Sequence, residues 1–186
     1  MNRHIDFLRQ SLRNLRTTGS VARSSPALCK TIVGQVDPAN ASVVLELGAG
    51  DGVITEQLLG RILPDSQLLV FEVNPVFMEV LKTNFSDERM ALLHDSAENM
   101  GVHLNEKKIE HVDYVVSGIP FAVLPNELAE QIIDECLEWL RPGGKFIQFH
   151  YSPHMIPFYK KKFGNGKINF VPWNIPPAFV VSCVKK

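Results

Sequence analysis

Apolar residues along this chain fall into two alternating patterns. Short continuous runs lie at Val43-Val44-Leu45, at Leu68-Leu69-Val70-Phe71, near Leu92, at Val112 to Val116 and at Lys145 to His150. Between them, apolar positions recur at helical spacing: from Pro26 through Val36, from Val53 to Leu63, after Pro75, and from Pro125 to Leu140. The runs read as buried strands and the stretches between them as amphipathic helices. Ser24-Ser25-Pro26 and Asn74-Pro75 each place a polar cap before a proline in a helix's first turn. Arg141-Pro142-Gly143-Gly144 reads as the stop of the longest helix. Ile168 to Val171 and Phe179 to Val184 read as a closing pair of strands, with prolines between them. Strand–helix alternation predicts an α/β fold with a doubly wound sheet. Ahead of it, Ile5 to Leu15 predicts one more helix, broken by Thr17-Thr18-Gly19-Ser20.

The first strand carries the strongest chemical signal. Val43-Val44-Leu45-Glu46-Leu47 leads into Gly48-Ala49-Gly50-Asp51-Gly52 and then into a helix. Glycine permits positive φ and, lacking a Cβ, lets a ligand lie against the backbone. The turn also ends at a helix N-terminus, which favours electron-rich groups. The second strand ends in Glu72, roughly twenty residues on, the spacing expected of an acid that accepts hydrogen bonds from ribose hydroxyls. A nucleotide-like ligand belongs here, against the alternative of an ordinary glycine-rich turn.

The spacing Glu46-x-Gly48-x-Gly50-x-Gly52 differs from a dinucleotide fingerprint and resembles the first motif of class I S-adenosylmethionine-dependent methyltransferases. Asp95, in Leu93-His94-Asp95-Ser96-Ala97, resembles that family's third motif, where an acid faces the adenine amine. The resemblance implies a Rossmann-like sheet of seven strands with the last antiparallel. It implies that S-adenosylmethionine is held by Glu46, Gly48, Ala49, Gly50 and Gly52 on the first turn and by Glu72 and Val73 on the second. Asp95, Ser96 and Ala97 would follow from the third turn, Ser117 from the fourth strand, and Ser24 and Ser25 from the N-terminal side.

Composition agrees with one such domain. A chain of 186 residues can bury a sizeable core, and 45% hydrophobic with 21% charged residues is ordinary for a globular protein. The net charge of −1 leaves no global polycation for nucleic acid. Cys29, Cys136 and Cys183 are widely spaced, form no metal motif and suggest a reducing compartment. The six histidines show no ligand spacing, and methyl transfer needs no metal. No long apolar span and no signal-peptide core is visible, which predicts a cytoplasmic protein.

The fourth strand ends in Ser117-Gly118-Ile119-Pro120-Phe121, which resembles the catalytic loop of amino-methyltransferases. Adenine-specific branches carry Asn or Asp where this chain has Gly118, so the resemblance argues against an adenine substrate. A narrower resemblance is to soluble bacterial phospholipid N-methyltransferases, relatives of the rRNA adenine dimethyltransferases. It rests on residues 18–26, the cofactor loop, Ser117-Gly118-Ile119-Pro120, Phe149-His150-Tyr151 and Asn174-Ile175-Pro176-Pro177-Ala178. Arg23 and Phe121 depart from that family's usual Pro and Leu.

This resemblance implies an N-methyltransferase acting on a lipid head-group amine such as phosphatidylethanolamine. Backbone carbonyls near Gly118 and Ile119, beside Pro120, would orient the amine. Phe121 would wall the pocket, and Tyr151 or His150 would take the proton, with Tyr151 preferred. Strand alternation allows only one of the latter two to face the crevice.

The first helix sets Ile5, Leu8, Leu12 and Leu15 on one face beside Arg9, Arg13 and Arg16, a basic amphipathic pattern. It is expected to rest on an anionic membrane surface at the inner face of the membrane, or to pack over the cofactor as part of a cap formed by residues 1–36 of a single domain. Lys160-Lys161-Lys162 reads as a solvated turn. Alternatives are an rRNA-adenine-type enzyme, a methyltransferase for another small amine, and a cofactor-binding scaffold without turnover. RNA is disfavoured because the chain ends just past the closing strand, without an RNA-binding appendage.

Overall fold

The computed structural model describes residues 24–186. The predicted first helix therefore lies outside the described residues, and so does the greater part of the predicted cap. Among the described residues, seven strands form one sheet in the order β3-β2-β1-β4-β5-β7-β6. The strands are β1 (Val43–Leu47), β2 (Gln67–Phe71), β3 (Met90–Leu93), β4 (Val112–Ser117), β5 (Leu140–His150), β6 (Lys167–Val171) and β7 (Ala178–Val184). The first five pair in parallel, and β7 runs antiparallel to both of its neighbours. The expected doubly wound, Rossmann-like sheet with its last strand reversed is therefore present. Strand order reverses between β1 and β4, and such a switch point is where open α/β sheets bind ligands.

Helices cover both faces: α1 (Pro26–Val33), α2 (Val53–Leu59), α3 (Pro75–Asn84), α4 (Met100–Glu106), α5 (Asn126–Trp139) and α6 (Ile156–Phe163). Ser25 caps α1 by accepting the Leu28 N–H, and Asn74 caps α3 by accepting that of Val76, both with proline in the first turn. One face buries Leu28, Ile32, Val44, Leu58, Leu68 and Val180 under α1 and α2. The other buries Leu45, Leu69, Val115, Leu128, Ile132 and Phe146 under α4, α5 and α6. All three cysteines are buried. Alternate side chains of each strand feed opposite faces, which explains the uninterrupted apolar runs.

Two regions differ from the sequence reading. Arg141-Pro142-Gly143-Gly144 opens β5 rather than forming a loop. Arg141 pairs with Asp113, the β4–β5 register shifts between Val112 and Tyr114, and Gly143 sits at φ +80° while bonding Lys185 O. A bulge thus accommodates what the pattern read as a stop. Lys160 to Lys162 form the last turn of α6, and Lys162 reaches Asp134 at 2.8 Å.

Candidate active site

The C-terminal ends of β1, β2, β3 and β4 are joined by backbone hydrogen bonds. Gly48 donates to Phe71 O at 2.8 Å, Gly118 to Leu47 O at 2.8 Å, and Glu72 to Leu93 O at 3.1 Å. Gly48 and Gly50 have φ of +75° and +60°, so both turns need glycine. Gly50 then points its N–H at the Glu72 carboxylate, 2.8 Å away, while the other oxygen accepts the Asn74 N–H at 2.8 Å. Glu72 is 2% exposed and is held in place by the two loops it joins. Gly52, at φ +84°, has a different task. A Cβ there would lie 2.5 Å from the Phe85 ring, so this glycine lets α2 pack on α3.

Glu46 is the unusual group. It is 1% exposed, and its Oε2 has no hydrogen-bond partner. The Thr55 hydroxyl beside it is also unpartnered. Burial pushes the Glu46 carboxyl up to about 8; the nearby Thr55 side chain opposes the rise and the Glu72 charge adds to it. Two buried carboxylates at the ends of adjacent strands, one with an orphaned oxygen, suit a ligand that brings positive charge.

Asp95 is fixed by the turn that follows it. It accepts from Ser96 N at 2.7 Å, Asn99 Nδ2 at 2.9 Å and His103 Nε2 at 2.8 Å. Burial alone would raise its carboxyl; the bonds from His103, Asn99 and Ser96 outweigh burial and hold it below the usual range. His94 donates to Val73 O at 3.2 Å, tying the third turn to the second, and Ser96 and Ala97 are buried behind it.

The fourth turn closes tightly against the first. A Cβ on Gly118 would lie 2.6 Å from the Gly48 carbonyl oxygen, and one on Gly48 would meet Ile119 at 3.2 Å. The absence of a polar side chain at 118 therefore has a steric cause. Ser117 Oγ accepts the Ile119 N–H at 3.2 Å, and Pro120 follows, half-buried. The Ile119 carbonyl accepts from Phe121 N at 2.9 Å and from Gln148 Nε2 at 3.1 Å, so it is committed to the protein. The Gly118 carbonyl carries no such bond among the described residues.

Phe121 does not wall a pocket. It is 1% exposed and meets Phe146 and Tyr159 edge-on at 6.3 and 6.0 Å. Proline directs the chain back into the core here, and the ring goes with it.

At the end of β5 the two candidates separate as alternation requires. His150 turns to the α6 face, shares a 2.8 Å hydrogen bond with Tyr159, and burial pushes its pKa down to about 4. Tyr151 turns to the α1 face and packs edge-on against Phe149. Its hydroxyl is buried and has no hydrogen-bond partner; burial raises its pKa, with the Asn174 side chain opposing. Asn174 accepts the Ser25 N–H at 2.9 Å and donates to Pro176 O at 2.7 Å. Ser24 and Ser25 are thereby brought to the β6–β7 connection, on the same face as Ala49 and Tyr151.

Gln148, Asn99 and His103 escaped the sequence reading. A buried polar residue in an apolar strand flags Gln148, and the spacing Asp95, Asn99, His103 follows one helical turn after another. A groove of about 740 Å³ lined by Gln35, Arg61, Lys145 and Lys167 opens at the opposite end of the strands and takes no part in this site.

This fold and strand-end arrangement define a class I S-adenosylmethionine-dependent methyltransferase. The chain matches the ribosomal RNA adenine dimethylase family over residues 19–161, and it belongs to that family. It is 33% identical to the ornithine lipid N-methyltransferase of Singulisphaera acidiphila, over 95% of this chain and 93% of that protein. It is also 30% identical to a probable ribosomal RNA small subunit methyltransferase A of Methanococcoides burtonii, over 52% of this chain and 36% of that one. Among solved structures it resembles an O-methyltransferase from Bacillus cereus in complex with S-adenosylhomocysteine (TM-score 0.71, 15% identity, 97% of this chain and 91% of that one). It also resembles an rRNA methylase from Streptococcus thermophilus (TM-score 0.64, 18% identity, 89% and 99%).

Proposed function

We propose that this enzyme transfers methyl groups to the primary amine of a lipid head group, as in an ornithine lipid or phosphatidylethanolamine. The carrying observation is the end-to-end match to an ornithine lipid N-methyltransferase, whereas the ribosomal RNA relative is matched over about half of this chain. The Gly118 geometry supports the same reading, because an amide acceptor for a base amine has no room there.

The cofactor supplies an activated methyl group. Glu72 is the residue to hold ribose hydroxyls, since its buried carboxylate stands at the end of β2 and is oriented by the Gly50 and Asn74 N–H groups. Glu46, mostly protonated at neutral pH in the free protein, would ionise beneath a cationic cofactor and supply negative charge there, and Asp95 offers an acceptor at the adenine end. With the Ile119 carbonyl engaged, the Gly118 carbonyl accepts an N–H of the incoming amine and aims its lone pair. Tyr151, whose phenol stays neutral at physiological pH, offers an unpartnered hydroxyl as a second contact. The amine must be unprotonated to react, so kcat/KM rises with pH up to the amine's own pKa. Peripheral association with the anionic inner face of the membrane, through the arginines of residues 1–23, belongs to the same reading. No helix among the described residues is long and apolar enough to cross a membrane.

Incubation with labelled S-adenosylmethionine and, separately, phosphatidylethanolamine vesicles, ornithine lipid vesicles and ribosomal RNA tests the proposal. Label is expected in one or both lipids and absent from RNA. Label in RNA alone overturns the substrate class and favours the reading carried by the family model.

A further inference from the structure

The most exposed large apolar side chains of the described residues are Trp173 and Ile175, at 83% and 85% exposure. They flank Asn174, which is 1% exposed and pinned by bonds to Ser25 and Pro176. The connection is therefore held at its centre while its two apolar neighbours project from either side. Pro172, Pro176 and Pro177 surround them and leave few backbone N–H groups needing a partner. Because β6 runs parallel to β1 and β4, this connection projects from the same end of the sheet as Gly48, Glu72 and Gly118.

A second observation identifies what covers it. The Ser25 N–H bonded to Asn174 marks the place where residues 1–23 join the described domain. That segment carries five arginines against one aspartate, in a chain whose net charge is −1. An arginine-rich segment thus joins the domain beside the connection that carries the exposed Trp173 and Ile175. An anionic lipid surface matches both features: tryptophan favours the headgroup boundary, and arginines meet lipid phosphates.

We propose that the Trp173–Ile175 connection is a wedge that enters the headgroup region of an anionic bilayer, setting the crevice mouth against the lipid amines. This rests on the lipid-amine reading above and adds to it a second membrane contact, apolar and independent of the basic N-terminal segment.

The test uses the full-length protein and vesicles of phosphatidylcholine with phosphatidylglycerol. Trp173 emission should shift to the blue on vesicle addition and be quenched by brominated acyl chains, and the Trp173→Phe protein should lose both signals. The Trp173→Ala/Ile175→Ser protein should bind at least tenfold more weakly. The binding that survives in 0.5 M salt, where the arginine contribution is screened, should vanish. Methyl transfer to a dissolved short-chain aminolipid should be unchanged. Unaltered vesicle binding by the double variant overturns the wedge. So does Trp173 shielded from acrylamide without lipid, which would mean the N-terminal segment covers it, or a blue shift produced by protein concentration alone, which would mean a second copy does. Loss of transfer to every aminolipid by the parent protein, with the vesicle signals intact, falls instead on the substrate reading.

Discussion

The two halves of the crevice are built on opposite principles. On the cofactor side, backbone meets backbone: Gly48 bonds Phe71, Gly118 bonds Leu47, and Glu72 joins two loops with one carboxylate. On the acceptor side, distant parts of the chain meet through a side chain, as when the Asn174 amide oxygen accepts the Ser25 N–H, and a buried hydroxyl on Tyr151 is left unpartnered. One half is fixed by its own turns, the other by a contact between distant segments, and each keeps an unpartnered buried group: Glu46 Oε2 in the first, the Tyr151 hydroxyl in the second.

The largest expected effect is on stability against pH, and it sets Glu46 on the cofactor side against His150, buried behind the acceptor side on the α6 face. Glu46 has a folded pKa near 8 against an ordinary 4.5, so its contribution is intact below 4.5 and lost as pH rises through 8. His150 has a folded pKa near 4 against 6.5, so its contribution is present above 6.5 and lost as pH falls through 4. At about 1.4 kcal/mol per pH unit the two slopes cancel between pH 4.5 and 6.5. The part of the cofactor-free protein's stability that these two groups set should be flat there and fall by about 2 kcal/mol from pH 6.5 to 8. Glu46→Gln should abolish that fall, stabilise the protein at pH 8 by about 4 kcal/mol, and weaken S-adenosylhomocysteine binding. Urea unfolding at several pH values and calorimetry read both. An unchanged pH profile in the variant would sink the assignment.

Gly118→Asn comes next. Its Cβ would press on the Gly48 carbonyl, and the cost should be about 2–3 kcal/mol, with cofactor affinity falling at the same time because the displaced atom belongs to the cofactor turn. Asn174→Ala should cost about 1–2 kcal/mol by orphaning the Ser25 N–H, and should lower kcat more than cofactor affinity. Hydrogen exchange at Ser25 should speed up in that variant alone. Tyr151→Phe should change stability least, by under about 0.5 kcal/mol, since the hydroxyl it removes has no partner. A drop in kcat with cofactor affinity unchanged would place Tyr151 on the acceptor side; equal loss of both would move it across.

The same division explains what could be read from the sequence. The cofactor half is written locally: a strand, three glycines and an acid at a set distance, each constrained by backbone φ or by strand length. Ser25 and Asn174, 149 residues apart, meet only because β6 runs parallel to β1 and β4 and ends at the same edge of the sheet. No local pattern carries that contact. Helices α4 and α6 were missed because seven or eight residues, with Gly101 or Pro157 among them, barely repeat a helical period. Phe121 was misplaced because an aromatic ring after a proline suits a pocket wall and a core equally well, and only the positions of Phe146 and Tyr159 decide.

The contact between Gly118 and the Gly48 carbonyl also bears on how such enzymes diverge. Two of the four glycine codons lie a single base from an aspartate codon, so the acidic acceptor of the adenine-specific branches is genetically close to such a loop. Here that mutation meets a carbonyl oxygen 2.6 Å from where its side chain would begin. The atom in the way belongs to the first glycine turn, so a side chain at 118 requires that turn to move as well. The fourth turn and the first are thus one steric unit, in which a larger residue in one has to be matched by a shift in the other.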